Sequence, residues 1–114
     1  MVLSLSTGGL DATALNLEIP VRYGVVQTVG DTVGPGRLFR GLRNIPVVVE
    51  IARAMEEYCA DAVLLNLTNP LTVLTRAVSK ATSIVSVGLC HELFSTLGML
   101  STMFEAQREY LPQF

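Results

Sequence analysis

Apolar residues gather in three short runs, each followed by a longer stretch in which they recur every three or four positions. Val2–Ser6, Ala62–Leu67 and Ser83–Val87 are rich in aliphatic and β-branched residues and read as strands. After the first run, Leu10, Ala14, Leu17 and Val21 fall at helical spacing and predict a helix from Leu10 to Tyr23. Pro20 predicts a kink or break near Ile19, and Gly24 a stop. A second helical region runs from Arg37 to about Cys59 and is divided by Pro46. Its second half carries Val48, Ile51, Ala52 and Met55 on one face, with Glu56 and Glu57 on the outer side. Asn69 as N-cap and Pro70 at the first helical position open a helix over Leu71–Lys80, with Leu71, Leu74 and Val78 inward. The last helix runs from Glu92 to about Glu109, apolar at Leu93, Leu97, Leu100 and Phe104, and Leu111–Phe114 is a tail.

Strands separated by helices imply βαβ units and an α/β fold: three parallel strands with intervening helices, part of a Rossmann-like sheet. Such a sheet is covered on both faces. Composition fits this. Half of the 114 residues are hydrophobic and 16% are charged, against about 25% charged in an average soluble domain. So apolar a balance suits either a fully covered sheet or a piece of something larger. The formal charge of −2 gives no basic footprint, which argues against nucleic acid as a partner. Apolar runs fall short of the roughly 18 residues of a membrane span. Two cysteines are too few for a disulfide framework. With nothing resembling a signal peptide, a reducing cytoplasm is the expected location.

Candidate chemistry falls at the ends of the strands, where open α/β sheets bind ligands. Thr7-Gly8-Gly9 follows the first strand and lets a ligand approach the backbone. Asp31-Thr32-Val33-Gly34-Pro35-Gly36 demands a shaped loop; it is either an ordinary turn or a device presenting Asp31 to a pocket. Arg37, Arg40 and Arg43 share a helix face and read more readily as solvated or paired than as phosphate-binding. Capping alone would explain Asn69. Cys90 and His91, after the third strand, place a thiol beside an imidazole, a pair able to bind metal or move protons. A lone cysteine is more often a small buried hydrophobe. No G-x-G-x-x-G follows a strand, so the chain has no dinucleotide fingerprint of its own.

Four motifs in order are similar to those of glycoside hydrolase family 4, the NAD- and manganese-dependent glycosidases. They are Ser6-Thr7-Gly8-Gly9, then Gly30-Asp31-Thr32-Val33-Gly34-Pro35-Gly36 leading into Phe39-Arg40-Gly41-Leu42-Arg43-Asn44-Ile45-Pro46, then Leu65-Asn66-Leu67-Thr68-Asn69-Pro70, and Val87-Gly88-Leu89-Cys90-His91. The resemblance covers residues 1 to about 98. It implies hydrolysis of an α-glycoside by oxidation at C3 of the sugar, deprotonation at C2 and elimination, an exception to the two-carboxylate route. NAD would take the hydride and manganese would polarise the C3 oxygen. Carried over by position, Cys90 matches the metal ligand and His91 the group that protonates the leaving oxygen. Asn69 matches a substrate contact near the nicotinamide. Asp31 matches an acid that raises the basicity of a tyrosine base. Each of these residues is read as following a strand, with Asp31 after a third one. His91, where members acting on phosphorylated sugars carry Asp, and Thr13, where those carry Arg, imply an unphosphorylated sugar. In the full-length family the resemblance also implies a homo-oligomer.

The same resemblance implies that the nucleotide fingerprint lies upstream of Val2–Ser6, and that a second metal ligand and the tyrosine base lie beyond Phe114. Tyr110 sits in a polar tail and is no substitute. The chain is therefore read as the central fragment of a family 4 glycosidase. Two other readings stand beside it: a non-catalytic remnant that associates through its sheet edge and apolar surface, and a fragment of a lactate or malate dehydrogenase-like oxidoreductase. Cys90-His91 argues against the second.

Overall fold

The computed structural model describes residues 1–103. In chain order it comprises β1 (Val2–Leu3), α1 (Gly9–Val21), α2 (Gly34–Tyr58), β2 (Leu64–Asn66), α3 (Leu71–Ala81), β3 (Ser86–Gly88) and α4 (Glu92–Met103). The strands form one parallel sheet in the order β1-β2-β3. Val2, Leu65 and Val87 share one row of the register, and Leu3, Asn66 and Gly88 the next. The expected α/β Rossmann-like layout is present, with strands shorter than their apolar runs.

Alternation along the strands sorts side chains between two unlike faces. Leu3, Leu64 and Ile84 point into a core completed by Val48, Ala52 and Met55 of α2 and Leu74 and Val78 of α3. Burial of each of these side chains larger than alanine stabilises by about 1.5–3 kcal/mol. The opposite face is bare among the described residues: Val2 and Val85 are 62% and 63% exposed, and Val63, Leu67, Val87 and Leu89 are also exposed. Expected cover on both faces is thus present on one.

The helices depart from expectation in ways that have physical causes. Pro46 does not divide α2, which runs unbroken and starts three residues before Arg37. Gly41, Asn44, Val48, Ala52 and Met55 form a single buried stripe across the proline, and that packing outweighs the lost backbone bond. Pro20 lies in the last turn of α1, and Gly24 follows with a positive φ of 78°. The predicted inner face of α1 is wrong: Leu10 is 86% exposed and Val21 52% exposed, while Asn16 and Pro20 are buried. The helix turns another side toward α2: Asn16 and Pro20 are buried, Asn16 Oδ1 accepts from Arg43, and Leu15, Ile19 and Pro20 share an apolar cavity with Pro35 and Phe39. α4 buries no residue, so Leu93, Leu97 and Leu100 do not form a core face here. Phe104, the stretch to Glu109, Tyr110 and the tail lie outside the described residues. Gly88 extends β3 because its bare Cα lies against α3: a Cβ there would stand 2.9 Å from both Leu71 Cγ and Thr75 Oγ1.

Candidate active site

The turn after β2 is the centre of the polar architecture. The Asn69–Pro70 bond is cis, and α3 begins at Leu71 with Pro70, not Asn69, in the N-cap position. Asn69 still serves the helix end, because its Oδ1 accepts the Leu71 N–H at 3.3 Å. The other end of the same amide donates to Asp31 Oδ2 at 2.8 Å. The second carboxylate oxygen of Asp31 accepts the Thr32 hydroxyl at 2.9 Å. These bonds fix which end of the Asn69 amide is which: Nδ2 faces the acid and Oδ1 the helix end. Capping therefore does not exhaust what Asn69 does.

Asp31 reaches this turn from the α1–α2 connection, not from a strand end as its motif suggested. The loop is pressed onto α2 by glycine. A Cβ on buried Gly36 would stand 2.2 Å from the Gly30 carbonyl oxygen, so no larger residue fits without moving the backbone. Gln27 ties the loop down at both ends. Its Oε1 accepts the Gly36 N–H at 3.1 Å, satisfying one of the orphan donors at the start of α2. Its Nε2 donates at 3.0 Å to the carbonyl of Asn16. That carbonyl is four residues before Pro20, which has no N–H to offer it.

Helix α2 holds both turns from beneath. Arg40 Nε and Asn44 Nδ2 both donate to the Asn69 carbonyl, at 3.1 and 3.2 Å. Asn44 Oδ1 accepts the Thr7 N–H at 3.2 Å, and Arg43 Nε donates to the Thr7 carbonyl at 3.4 Å. Arg43 Nη1 also reaches Asn16 Oδ1 at 3.2 Å. Two of the three arginines of the stripe, Arg40 and Arg43, are thus spent on backbone and amide oxygens. Below the turn, buried Asn66 accepts the Thr68 N–H at 2.9 Å and donates toward Thr68, Leu71 and Thr75. Thr68 Oγ1 in turn accepts Leu5 N–H at 3.0 Å, linking the ends of β1 and β2.

Cys90 and His91 follow β3 and are exposed. The thiol is free, and its sulfur accepts the Glu92 N–H at 3.4 Å at the start of α4. The structure thus joins Asp31 to Asn69 directly and leaves Cys90 and His91 on their own segment, beyond the next strand's carboxyl end. Among the described residues no three His, Cys, Asp or Glu side chains gather into a metal-binding group. A single thiol is too few ligands for a divalent ion, so these residues do not by themselves fit manganese. The Thr7-Gly8-Gly9 turn is open, with nothing within 4 Å of a Cβ built on Gly9.

Gln27, Asn16 and Asn44 were not singled out from sequence. Asn44 was findable, since it lies four residues before Val48 on the predicted buried stripe, where a polar residue demands partners. Asn16 had a weaker signal, the proline four residues on. Gln27 had none.

A parallel α/β sheet with helices between its strands and polar side chains gathered at their carboxyl ends defines a Rossmann-like domain. The chain belongs to the family 4 glycosyl hydrolases, whose family model matches residues 1–106. It is 48% identical over 104 residues to an α-galactosidase of Bacillus subtilis, covering 84% of this chain and 24% of that protein. It is 42% identical over 104 residues to an α-galacturonidase of the same organism, covering 90% of this chain and 23% of the other. The crystal structure of Bacillus subtilis lplD, assigned as a glucosidase, superposes with a TM-score of 0.86 at 41% identity, over 96% of this chain and 25% of that one. The chain spans about a quarter of the length of these relatives. Membership in this family sets aside the dehydrogenase reading. No described helix is long and apolar enough to cross a membrane.

Proposed function

We propose that this chain forms the sugar-facing part of the active site of an NAD- and manganese-dependent glycosidase acting on unphosphorylated α-galactosides or α-galacturonides. The observation that carries the reading is the Asp31–Asn69 hydrogen bond at the end of β2, held from below by Arg40 and Asn44. An amide oriented by a carboxylate is a preorganised donor, and its second N–H would serve a sugar hydroxyl. Cys90 would be one ligand of the metal, which when bound supplies a Lewis acid. His91, exposed beside it, would hold the proton for the departing oxygen. The remaining ligands and the tyrosine base would come from outside these 114 residues, so the isolated chain is expected to be inactive. His91 and Thr13, together with the α-galactosidase and α-galacturonidase relatives, favour the unphosphorylated sugar.

The test is a hybrid. The matching segment of the Bacillus subtilis α-galactosidase is replaced by this chain and assayed with manganese, NAD and reductant. Nitrophenyl α-galactoside and its 6-phosphate are offered in parallel. Turnover of the unphosphorylated glycoside, lost at least a hundredfold in Cys90→Ser, is the expected result. A folded hybrid that is inactive, or that prefers the phosphorylated sugar, contradicts the reading.

A further inference from the structure

We propose that Asn44 is a positioning residue that fixes the distance between the two ligand-facing turns, acting through Thr7 on one side and Asn69 on the other. The inference rests on the reading of those turns given above. Asn44 is fully buried at 0% exposure, yet neither of its polar atoms is spent on its own helix. The acceptor end takes the Thr7 N–H (3.2 Å), from the turn after β1, and the donor end gives to the Asn69 carbonyl (3.2 Å), from the turn after β2. These partners lie 37 and 25 residues away along the chain. A carboxamide is the smallest side chain offering an acceptor and a donor in one rigid plane. One such plane therefore sets the gap between the two turns to within the tolerance of two hydrogen bonds.

The same helix packs closely beside this span. Gly41, one turn before Asn44, is buried where α2 meets α3, and a Cβ there would make ordinary contact at 3.4 Å from Pro70 Cγ and 3.6 Å from Val73 Cγ1. Arg40 and Arg43, both N-terminal to Asn44 on α2, repeat the division of labour, one donating to the Asn69 carbonyl and the other to the Thr7 carbonyl. Charge-assisted bonds grip each turn separately. Only Asn44 touches both through a single group. A purely apolar residue on the buried stripe would satisfy the packing and lose the span.

The two ends of the amide can be broken apart by substitution in the full 114-residue chain. Asn44→Asp keeps an acceptor for the Thr7 N–H and loses the donor to the Asn69 carbonyl. Asn44→Leu removes both with little change in volume. The readouts are amide hydrogen exchange at Thr7 and the side-chain NH2 resonances of Asn69, with Ala52 and Leu74 amides as the core reference. Asn44→Leu is expected to speed exchange at Thr7 at least tenfold and to shift the Asn69 resonances, with Ala52 and Leu74 within about threefold of the parent. Asn44→Asp is expected to shift the Asn69 resonances while Thr7 stays within about threefold. If both variants leave Thr7 and Asn69 unchanged, or if turns and core loosen together in Asn44→Asp, the proposal is overturned. Should Asn44→Leu not fold, the Asp variant alone decides. No substrate or cofactor is needed, so this result stands apart from that of the hybrid enzyme.

Discussion

The two halves of α2 do different work with the same backbone. From Gly34 to Ile45 the helix buries Gly36, Gly41 and Asn44; from Pro46 to Tyr58 it buries Val48, Ala52 and Met55. The first half makes its contacts through absent side chains and an amide, and what it holds is the backbone of three connections: the Asp31 loop, the Thr7 turn and the Asn69 turn. The second half makes its contacts through apolar volume and holds the sheet. Apolar burial is non-directional and supplies free energy. Hydrogen bonds to named carbonyls supply little net free energy but much geometry. A helix that continues through Pro46 links the position set by the core to the turns after β1 and β2.

That difference can be broken from either end. The largest effect is expected in the core half. Met55→Ala should cost about 2–5 kcal/mol of stability by loss of buried volume. It should lower the urea midpoint while leaving the Asn69 side-chain resonances of the folded form in place. Next comes the polar half. Gly36→Ala forces a Cβ against the Gly30 carbonyl oxygen and should cost about 1–3 kcal/mol by overpacking, despite the roughly 1 kcal/mol helix-propensity gain of alanine over glycine. Unlike Met55→Ala, it should displace the Asp31 loop, read as changed Asp31 and Thr32 resonances.

The smallest effect lies at the far end of α2. There Glu56 accepts the Ser83 N–H and, at 2.7 Å, the Ser83 hydroxyl. The backbone bond from Ser83, then the hydroxyl bond, then the charge of Arg53 hold its carboxyl below the ordinary 4.5. A depressed carboxylate contributes stability that is present above the unfolded value and lost as the pH falls through the folded one. The stability difference between the parent and Glu56→Gln should therefore be constant from neutral pH to about 5 and shrink below 4.5. A difference that grows on acidification would contradict the assignment.

How much of this was legible from sequence follows the same division. Val48, Ile51, Ala52 and Met55, and Leu74 and Val78, were readable because helical period and core burial coincide in them. Leu10, Ala14 and Val21 misled because α1 turns Asn16 and Pro20 toward α2 instead, and the apolar stripe at those positions stays exposed. Pro46 misled because local propensity yielded to a stripe that continues on both sides of it. For the site, the motifs located Asp31 and Asn69. They did not reveal that the two bond each other, since Asp31 approaches from a helix–helix loop whose path depends on Gly36 and Gln27. Cys90 and His91 were located as an adjacent pair, and among the described residues no further His, Cys, Asp or Glu gathers with them into a metal-binding group.

The central claim is that Asp31 and Asn69 act as one unit presented to substrate. A double-mutant cycle of Asp31→Asn and Asn69→Ala on kcat/KM in the hybrid α-galactosidase addresses it most directly. The account predicts strong non-additivity, the double variant losing little more than the worse single variant. Losses that multiply independently would show that the 2.8 Å bond joins two residues with separate roles, and the account would fail.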